Sequence, residues 1–464
     1  MARERNVKLA DAIAETGWSQ PKVAAAFVRV AAEVGAQELL GTSRSHIAMW
    51  VAGTQPSGRA PSILCETLSR RLQRPVTAAE IGLSLTDMGV TEASESEWHV
   101  DTLTALVDLG RSDVDLERRR LLVGAAYSVG GLTLPGQQWW DEAPQRAASR
   151  QAATSRRVGA AEVSAVREMT EFFSRRDQRH GGMDGRTALY QYLVDDVARY
   201  VGGVFTSDDT RRALLAAASE AVYVAGWMSF DASHHEAGRR YFTLALKLAA
   251  EADDAPLAGH ILRAMAHQAT DLGHPQAAVD LATASVERKR YTLATPRERA
   301  LLGVVKARSL AADGQKRGAI AALLRAEDDL AAAGAGDEDP SRVWFFQRAS
   351  LAHETARTLW ALGDLDGALR EFNNSVLTRK ADTFSRTHAV TLGYMGTLQA
   401  RKGNVEAACM TWAQALDAME GVQSGRVREA AVNMRRVLSP FRNRGISAAA
   451  EIDERAKAVL ERVA

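Results

Sequence analysis

Residues 362–372 read LGDLDGALREF, and three other segments of the chain repeat this pattern. Each segment has a glycine near its start, a pair of small residues four or five positions later, and then an apolar run. Glycine ends helices and small residues let two helices pack closely, so the pattern predicts a helical hairpin. The other copies are LGHPQAAVDLA (272–282), DGQKRGAIAAL (313–323) and KGNVEAACMTW (402–412).

The spacing of the four glycines predicts how the hairpins are arranged. Gly273, Gly314, Gly363 and Gly403 lie 41, 49 and 40 residues apart. This is the period of a helical solenoid, somewhat longer than the roughly 34 residues of a tetratricopeptide repeat. An earlier copy is expected in GWMSFDASHHEAGRRYFTLAL, residues 226–246. We therefore expect an all-α protein with a tetratricopeptide-like solenoid over residues 160–464, and an irregular helical bundle is the alternative.

The composition limits the class of protein. The 464 residues are 46% hydrophobic but only 6% aromatic, which favours closely packed helices. No apolar run approaches the roughly 18 residues of a membrane span, and the charged start MARERNVKLADAIAE does not have the features of a signal peptide. Cys65 and Cys409 form no CxxC pair. We expect a cytoplasmic protein with reduced, structural thiols and no membrane contact.

Charge is distributed unevenly along the chain. Residues 1–75 contain ten Lys and Arg against six Asp and Glu, whereas residues 84–117 contain one against nine. A basic head followed by an acidic segment is typical of polyanion binding. We expect a head domain over 1–83, an acidic linker over 84–97 and a helical connector over 98–159, with a long loop at 134–157.

The head contains three phrases in order: GWSQPKVA (17–24), TSRSHIAMWVAG (42–53) and TQP (54–56). With them it resembles the helix-turn-helix of lambda-repressor/XRE-type DNA-binding proteins. In that family the Ser-Gln pair opens the second helix, and the run over 43–51 is the recognition helix. This chain departs from the family in length, because residues 26–41 stand where a shorter turn is usual. Either the second helix is extended or an extra turn is inserted.

The chain as a whole is similar to a group of actinobacterial regulators that join such a head to tetratricopeptide-like repeats. The shared phrases, besides GWS (17–19), are ETLSRRLQRPVTAAEIG (66–82), DQRHGGMDGR (177–186), YLVDDV (192–197) and AGWMSFDA (225–232). The resemblance implies a transcription regulator of development or secondary metabolism. It implies no particular operator or effector.

The physical chemistry of residues 43–51 agrees with a groove-reading helix. Ile47 and Trp50 are three residues apart and can anchor the helix in the domain core, which leaves Arg44 facing outward. A guanidinium can grip guanine through two hydrogen bonds, Met49 can pack on a thymine methyl or in the core, and His46 can touch phosphate or bond within the protein. The predicted DNA-binding residues are Gln20, Lys22, Ser43, Arg44, Ser45, His46, Met49 and Arg59.

The chain shows no GxxxxGK[ST], GxSxG or HExxH motif, so we expect no enzyme, no cofactor and no metal site. The glycines between His180 and Arg186 could let a ligand approach, although a tight corner with local salt bridges is the preferred interpretation. The expected partners are double-stranded DNA, a second copy of the chain, and a peptide, small-molecule effector or protein in the repeat groove. The sequence therefore predicts a dimeric transcriptional repressor, and the alternative is a protein-interaction scaffold without sequence-specific DNA binding.

Overall fold

The computed structural model describes residues 5–33, 36–72, 74, 76–83, 95–119, 127–334, 336, 338–441 and 447–462. Helices account for most of these residues. Two strands, β1 (Arg157–Val158) and β2 (Val204–Phe205), form one short parallel pair. The all-α prediction is confirmed within this part of the chain.

Ten helices precede the repeated hairpins in the described ranges. They are α1 (Val7–Glu15), α2 (Gln20–Glu33), α3 (Arg44–Val51), α4 (Ala60–Leu72), α5 (Glu95–His99), α6 (Thr102–Arg119), α7 (Gln137–Ser149), α8 (Ala160–His180), α9 (Arg186–Tyr192) and α10 (Ala198–Val201). Short 3-10 helices cover Gln37–Leu39, Gly130–Leu132 and Ser341–Val343, and a π-helix covers Leu193–Val197.

The remaining helices form consecutive hairpins, with the short α15 between the second and the third. They are α11 (Asp208–Asp231) with α12 (His235–Glu251), α13 (Ala255–Asp271) with α14 (Pro275–Ser285), α15 (Lys289–Thr292), α16 (Pro296–Ala312) with α17 (Lys316–Ala332), α18 (Arg348–Ala361) with α19 (Leu365–Thr378), α20 (Ser385–Arg401) with α21 (Val405–Ala418), and α22 (Gly425–Leu438) with α23 (Ser447–Arg462).

The repeat glycines make the turns of the hairpins. Gly273, Gly314, Gly363 and Gly403 have φ between 77° and 87°, the left-handed region that glycine adopts without strain. In the earlier copy Ser233 occupies the equivalent turn with φ 65°. The second small residue of each repeat, listed here, is fully buried where the two helices meet: Ala278, Ala319, Ala368 and Ala408. The hairpin prediction is confirmed at all five copies.

The hairpins stack so that their first helices contact one another. Helix α13 packs on α16, α16 on α18, and α20 on α22. Helix α8 lies against α11 and also against α20, four hairpins further along the chain. These first helices and α8 together form what we call the inner groove. The solenoid, rather than an irregular bundle, is therefore the observed arrangement.

The head has its own hydrophobic cluster, which runs from Leu9 to Leu83. Inside it, the rings of Phe27 and Trp50 lie 5.4 Å apart and join α2 to α3. Residues of the connector, such as Trp98 and Trp139, belong instead to the large cluster of the first hairpins. The domain boundaries themselves stay a prediction.

The long loop expected over 134–157 is wrong, because α7 occupies residues Gln137–Ser149. Trp139, Ala143 and Ala147 are spaced by four and all three are buried, so the segment has a helical apolar face. Pro144 lies inside the helix, and because proline usually ends helices, the sequence pattern indicated a loop. Of the acidic linker, residues 84–94 lie outside the described residues, while residues 95–97 already belong to α5.

Helix α11 has the length and apolar composition of a membrane span. In the structure, 78% of its most apolar window is buried inside the protein. It packs against α8 and α12 in the main hydrophobic cluster. Its composition therefore has a packing explanation.

Candidate functional site

Helix α3 is held by a cap at its start and by two anchors on one face. Ser43 precedes the helix, and its backbone N–H donates to Nδ1 of His46 at 3.1 Å. Ile47 is completely buried and Trp50 is 6% exposed, so both side chains fix the helix to the head core. His46 thus makes the intramolecular hydrogen bond that was one of its two predicted roles.

The opposite face of α3 is exposed. Arg44 and Ser45 stand in its first turn with exposed side chains, and Met49 is 46% exposed although methionine commonly packs inside. Arg44 is the first residue of α3, and among the described residues no carboxylate lies within ion-pair distance of it. An exposed arginine in the first turn of a helix can contact base edges when that helix enters the major groove of DNA.

The other predicted contacts lie at the starts of neighbouring helices. Gln20 is the first residue of α2 and is half-buried, Lys22 is exposed, and Arg59 is half-buried directly before α4. The additional length over 26–41 is taken up partly by extending α2 to Glu33 and partly by the 3-10 helix at 37–39. DNA contact by any of these residues stays a prediction.

Several cations of the head already have acidic partners within the protein. Arg70 bonds Glu66 and Glu33 at 2.7 Å each, and Arg74 pairs with Glu15 at 2.9 Å and Glu80 at 2.7 Å. Arg70 and Arg74 are therefore held by carboxylates of the head itself and are less available to an outside anion than the other cations of the head.

Glu66 also joins the head to the body. Its carboxylate accepts a hydrogen bond from the backbone N–H of Val129 at 3.2 Å. Burial raises the pKa of Glu66 to about 7, although Arg70 beside it acts in the opposite direction. Next to this contact, the ring of Tyr127 stacks on His274 of the second hairpin at 5.5 Å. Helix α4 thus contacts the segment 127–132, and this segment in turn contacts the first two hairpins through Glu236 and His274.

The segment DQRHGGMDGR is a backbone corner. A Cβ on Gly181 would lie 2.3 Å from the carbonyl oxygen of Gln423, and one on Gly182 would lie 2.5 Å from that of Met228. These glycines permit close packing between distant parts of the chain. Local ion pairs accompany them, as between Arg176 and Asp184 at 2.8 Å.

The two ligand candidates of this segment are not brought together around a cavity. His180 is half-buried, and its carbonyl accepts a hydrogen bond from the N–H of Gln423 at 2.7 Å. Arg186 is 6% exposed, with its guanidinium 5.9 Å from the ring centre of Tyr190. Neither residue lines the two cavities of the inner groove described below, and ligand binding by them stays a prediction.

The inner groove holds a dense cluster of buried charges around Asp271, which we call the Asp271 cluster. Asp271 pairs with Arg308, with Arg357 at 3.2 Å, and with Arg426 at 3.1 Å. Burial alone would raise the pKa of Asp271, but Arg308 and its other cationic neighbours hold that pKa well below its usual range. Glu354 completes the cluster at 3.1 Å from Arg308. One carboxylate therefore ties α13 to α16, α18 and α22.

A second cluster joins α8 to α11 and α20. Arg386 of α20 lies 3.0 Å from Asp177 and 2.8 Å from Asp231, and all three side chains are almost fully buried. The second oxygen of Asp231 accepts a hydrogen bond from the N–H of Gly182 at 2.8 Å. This cluster fixes α8 against α11 and α20 as one wall of the inner groove.

Between the two clusters lies a cavity of about 70 Å³. Its polar wall contains Arg263, Arg379, Arg386 and Arg426, and its apolar wall contains Trp227 and Phe345. A neighbouring cavity of about 50 Å³ shares Gln178, Trp227 and Phe345 with it. Across the described ranges, no three His, Cys, Asp or Glu side chains converge as metal ligands.

Sequence reasoning missed the polar wall, although α13 carries a signal for it. Arg263, His267 and Asp271 are spaced by four in a helix otherwise rich in alanine and leucine. Such spacing puts all three on one face. Their partners come from helices up to 155 residues away, which local patterns do not reveal.

Comparison with known proteins gives two findings. A family model described as the SP15 N-terminal domain matches residues 9–84. Two solved structures of nearly identical TPR-like repeats from Podosopora anserina are similar at 20% identity and a TM-score of 0.33, over 45% of this chain and 97% of theirs. No curated protein matches the chain.

Proposed function

We propose that the chain is a DNA-binding transcriptional regulator, a cytoplasmic dimeric repressor of development or secondary-metabolism genes. In this proposal residues 1–83 form a helix-turn-helix head, and the repeat body carries dimerisation and effector binding. The observation that carries the proposal is the two-sided character of α3, buried through Ile47 and Trp50 and exposed through Arg44, Ser45 and Met49.

The arrangement around α3 is compatible with reading the major groove. Recognition helices contact base edges with residues of their N-terminal turn, and Arg44 is the first residue of α3. Helix α2 packs on α3 through the Phe27–Trp50 contact and starts with Gln20. The start of a helix favours a phosphate through its dipole and free backbone N–H groups, and in α2 Gln20 and Lys22 can supply them.

The proposal includes a homodimer because α3 has only eight residues. One such helix reads few base pairs, and two half-sites supply the affinity and specificity that an operator requires. The contact of Glu66 with Val129 offers a physical connection between head and body. An effector in the inner groove would act by binding one arrangement of the two parts more tightly than the other.

The test compares binding of the full chain to genomic fragments and to random duplex DNA over a salt titration. We expect preferred fragments that remain bound at salt concentrations where random DNA is released. Arg44→Ala is expected to weaken the preferred fragments about tenfold or more, since one bidentate guanine contact contributes about 1–3 kcal/mol. Lys8→Ala, an exposed cation on α1, is the control for loss of charge alone.

The second candidate is a protein-interaction scaffold without sequence-specific DNA binding. It is favoured by the share of the chain in helical hairpins, whose stacked helices present extended surfaces, and by the internal pairing of Arg70 and Arg74. No preference for any fragment over random DNA, together with unchanged binding of Arg44→Ala, would favour the scaffold and reject the regulator.

A further inference from the structure

We propose that the 70 Å³ cavity of the inner groove binds the carboxylate of a small organic acid between Arg263 and Arg379, with the apolar part of the acid against Trp227 and Phe345. This inference rests on the proposed sensing role of the repeat body and assigns a chemical class to the effector. It names a site that the sequence patterns did not indicate.

Arg263 is a buried cation without an acidic partner. It is 2% exposed, and its Nη2 donates to the hydroxyl of Tyr223 at 2.8 Å and contacts Nε2 of His260 at 3.0 Å. Its Nε has no hydrogen-bond partner. In the described part of the chain no carboxylate lies within ion-pair distance of it.

Arg379 lines the same cavity and is in the same situation. It is 9% exposed, and its Nη2 donates to the carbonyl of Ala349 and to the hydroxyl of Ser375, each at 3.0 Å. Its Nε is also without a hydrogen-bond partner. Burial lowers the pKa of Arg379 to about 10, and the more distant Glu354 does not restore it. No residue that the structure describes supplies an ion-paired carboxylate.

Other arginines that are buried to a similar extent form ion pairs with carboxylates. Arg239 pairs with Glu97 and Glu236, Arg308 with Asp271 and Glu354, and Arg386 with Asp177 and Asp231. An uncompensated buried charge costs several kcal/mol, which is why buried ions are usually paired. Arg263 and Arg379 line the same cavity and have no carboxylate partner of this kind. The guanidinium of Arg263 lies 5.8 Å from the ring centre of Trp227 and 5.9 Å from those of Tyr223 and Phe345, contacts that offset only part of the cost of burial. One bound anion would supply the negative charge that both arginines lack.

The remaining lining selects the kind of anion. The planar guanidinium fork matches both carboxylate and phosphate, but Glu354 in the wall repels a doubly charged phosphate more strongly than a singly charged carboxylate. A cavity holds about one heavy atom for every 10–15 Å³, so this one holds about five to seven. The neighbouring 50 Å³ cavity, which shares Trp227 and Phe345 in its lining, adds space for about three to five more. This volume fits a short or aromatic acid and is too small for a peptide.

Isothermal titration calorimetry on the full chain tests the chemistry. The probes are benzoate and butyrate, their neutral counterparts benzamide and butyramide, and inorganic phosphate at equal ionic strength. We expect at least one of the two carboxylates to bind about tenfold or more tightly than its amide, since only the carboxylate offers a charge to the two arginines. Equal binding of acid and amide, binding of phosphate alone, or no binding at millimolar concentration would overturn the proposal.

Two variants locate the site. Arg379→Met and Arg263→Met are expected to abolish carboxylate binding, and neither leaves a carboxylate without its ion partner. Arg317→Met, which removes an exposed cation of the outer helix α17, is expected to bind like the wild type. If a methionine variant fails to fold, Arg379→Lys keeps the charge without the fork and should bind at least severalfold more weakly. Wild-type affinity in a folded Arg379 variant would refute the site.

The outcomes for this proposal and for DNA binding are separable. Carboxylate binding requires no DNA, and fragment selection requires no added acid. Specific DNA binding without any carboxylate binding would reject only the anion site. Carboxylate binding by a chain that shows no DNA preference would reject the regulator and keep the anion site.

Discussion

At the scale of single residues, Asp271 has the largest structural role in the inner groove. Its carboxylate holds Arg308, Arg357 and Arg426, which come from three different helices. Such a residue cannot be replaced by a neutral one without leaving buried cations unpaired.

We expect Asp271→Asn to lower the free energy of unfolding by about 3 kcal/mol or more, because removing one partner of a buried ion pair leaves the other uncompensated. Urea denaturation followed by circular dichroism measures this change. Asp366→Asn is the matched control, since Asp366 pairs with Lys402 on the exposed surface and its loss should change stability little. Equal stability of Asp271→Asn and wild type would contradict the role given to the cluster.

At the scale of elements, structures formed by neighbouring residues could be predicted from the sequence, whereas a site formed by distant segments could not. The hairpins were predictable because a glycine turn such as Gly363 and a buried alanine such as Ala368 follow each other within a few residues. The burial of Ile47 and Trp50 was also predictable, because the two apolar side chains lie three residues apart and so share one face of α3. Helix α7 was missed because Pro144 interrupts its pattern. The 70 Å³ cavity of the inner groove was missed because its walls come from seven helices and their connections, which are far apart in the sequence.

The hairpin turns give a prediction that separates backbone strain from packing. Gly363 has φ 86°, and a Cβ there would meet no atom within 4 Å. Gly363→Ala should therefore cost about 1 kcal/mol through the left-handed backbone alone. Gly363→Asn should cost clearly less, because asparagine tolerates this region. Denaturation midpoints in urea compare the two, and equal midpoints for both variants would show that backbone conformation does not limit this turn.

At the scale of the whole molecule, buried histidines make stability depend on pH. Burial lowers the pKa of His260 to about 3 and that of His267 to about 4, while an unfolded histidine titrates near 6.5. Between these values the unfolded chain binds more protons than the folded one. Stability contributed by the neutral rings is therefore present above pH 6.5 and is lost as the pH falls towards 4.

We expect the free energy of unfolding to fall by about 1–2 kcal/mol per buried histidine between pH 6.5 and pH 5. Urea titrations at several pH values measure the slope. This slope measures how many protons the chain takes up on unfolding, and His260→Gln should lower that number by about one, whatever its effect on stability at pH 7. A slope identical to that of the wild type would contradict the assignment of His260 as a neutral, buried ring.

The whole molecule joins a small helical head to a large body of helical repeats, and we propose that the head binds specific DNA sequences. Selection of bound duplexes from a random-sequence library by the full chain tests this proposal. We expect an enriched motif of two related half-sites, separated by about one helical turn or a multiple of it, that Arg44→Ala no longer enriches. Recovered duplexes with the composition of the starting library, for wild type and variant alike, would contradict it.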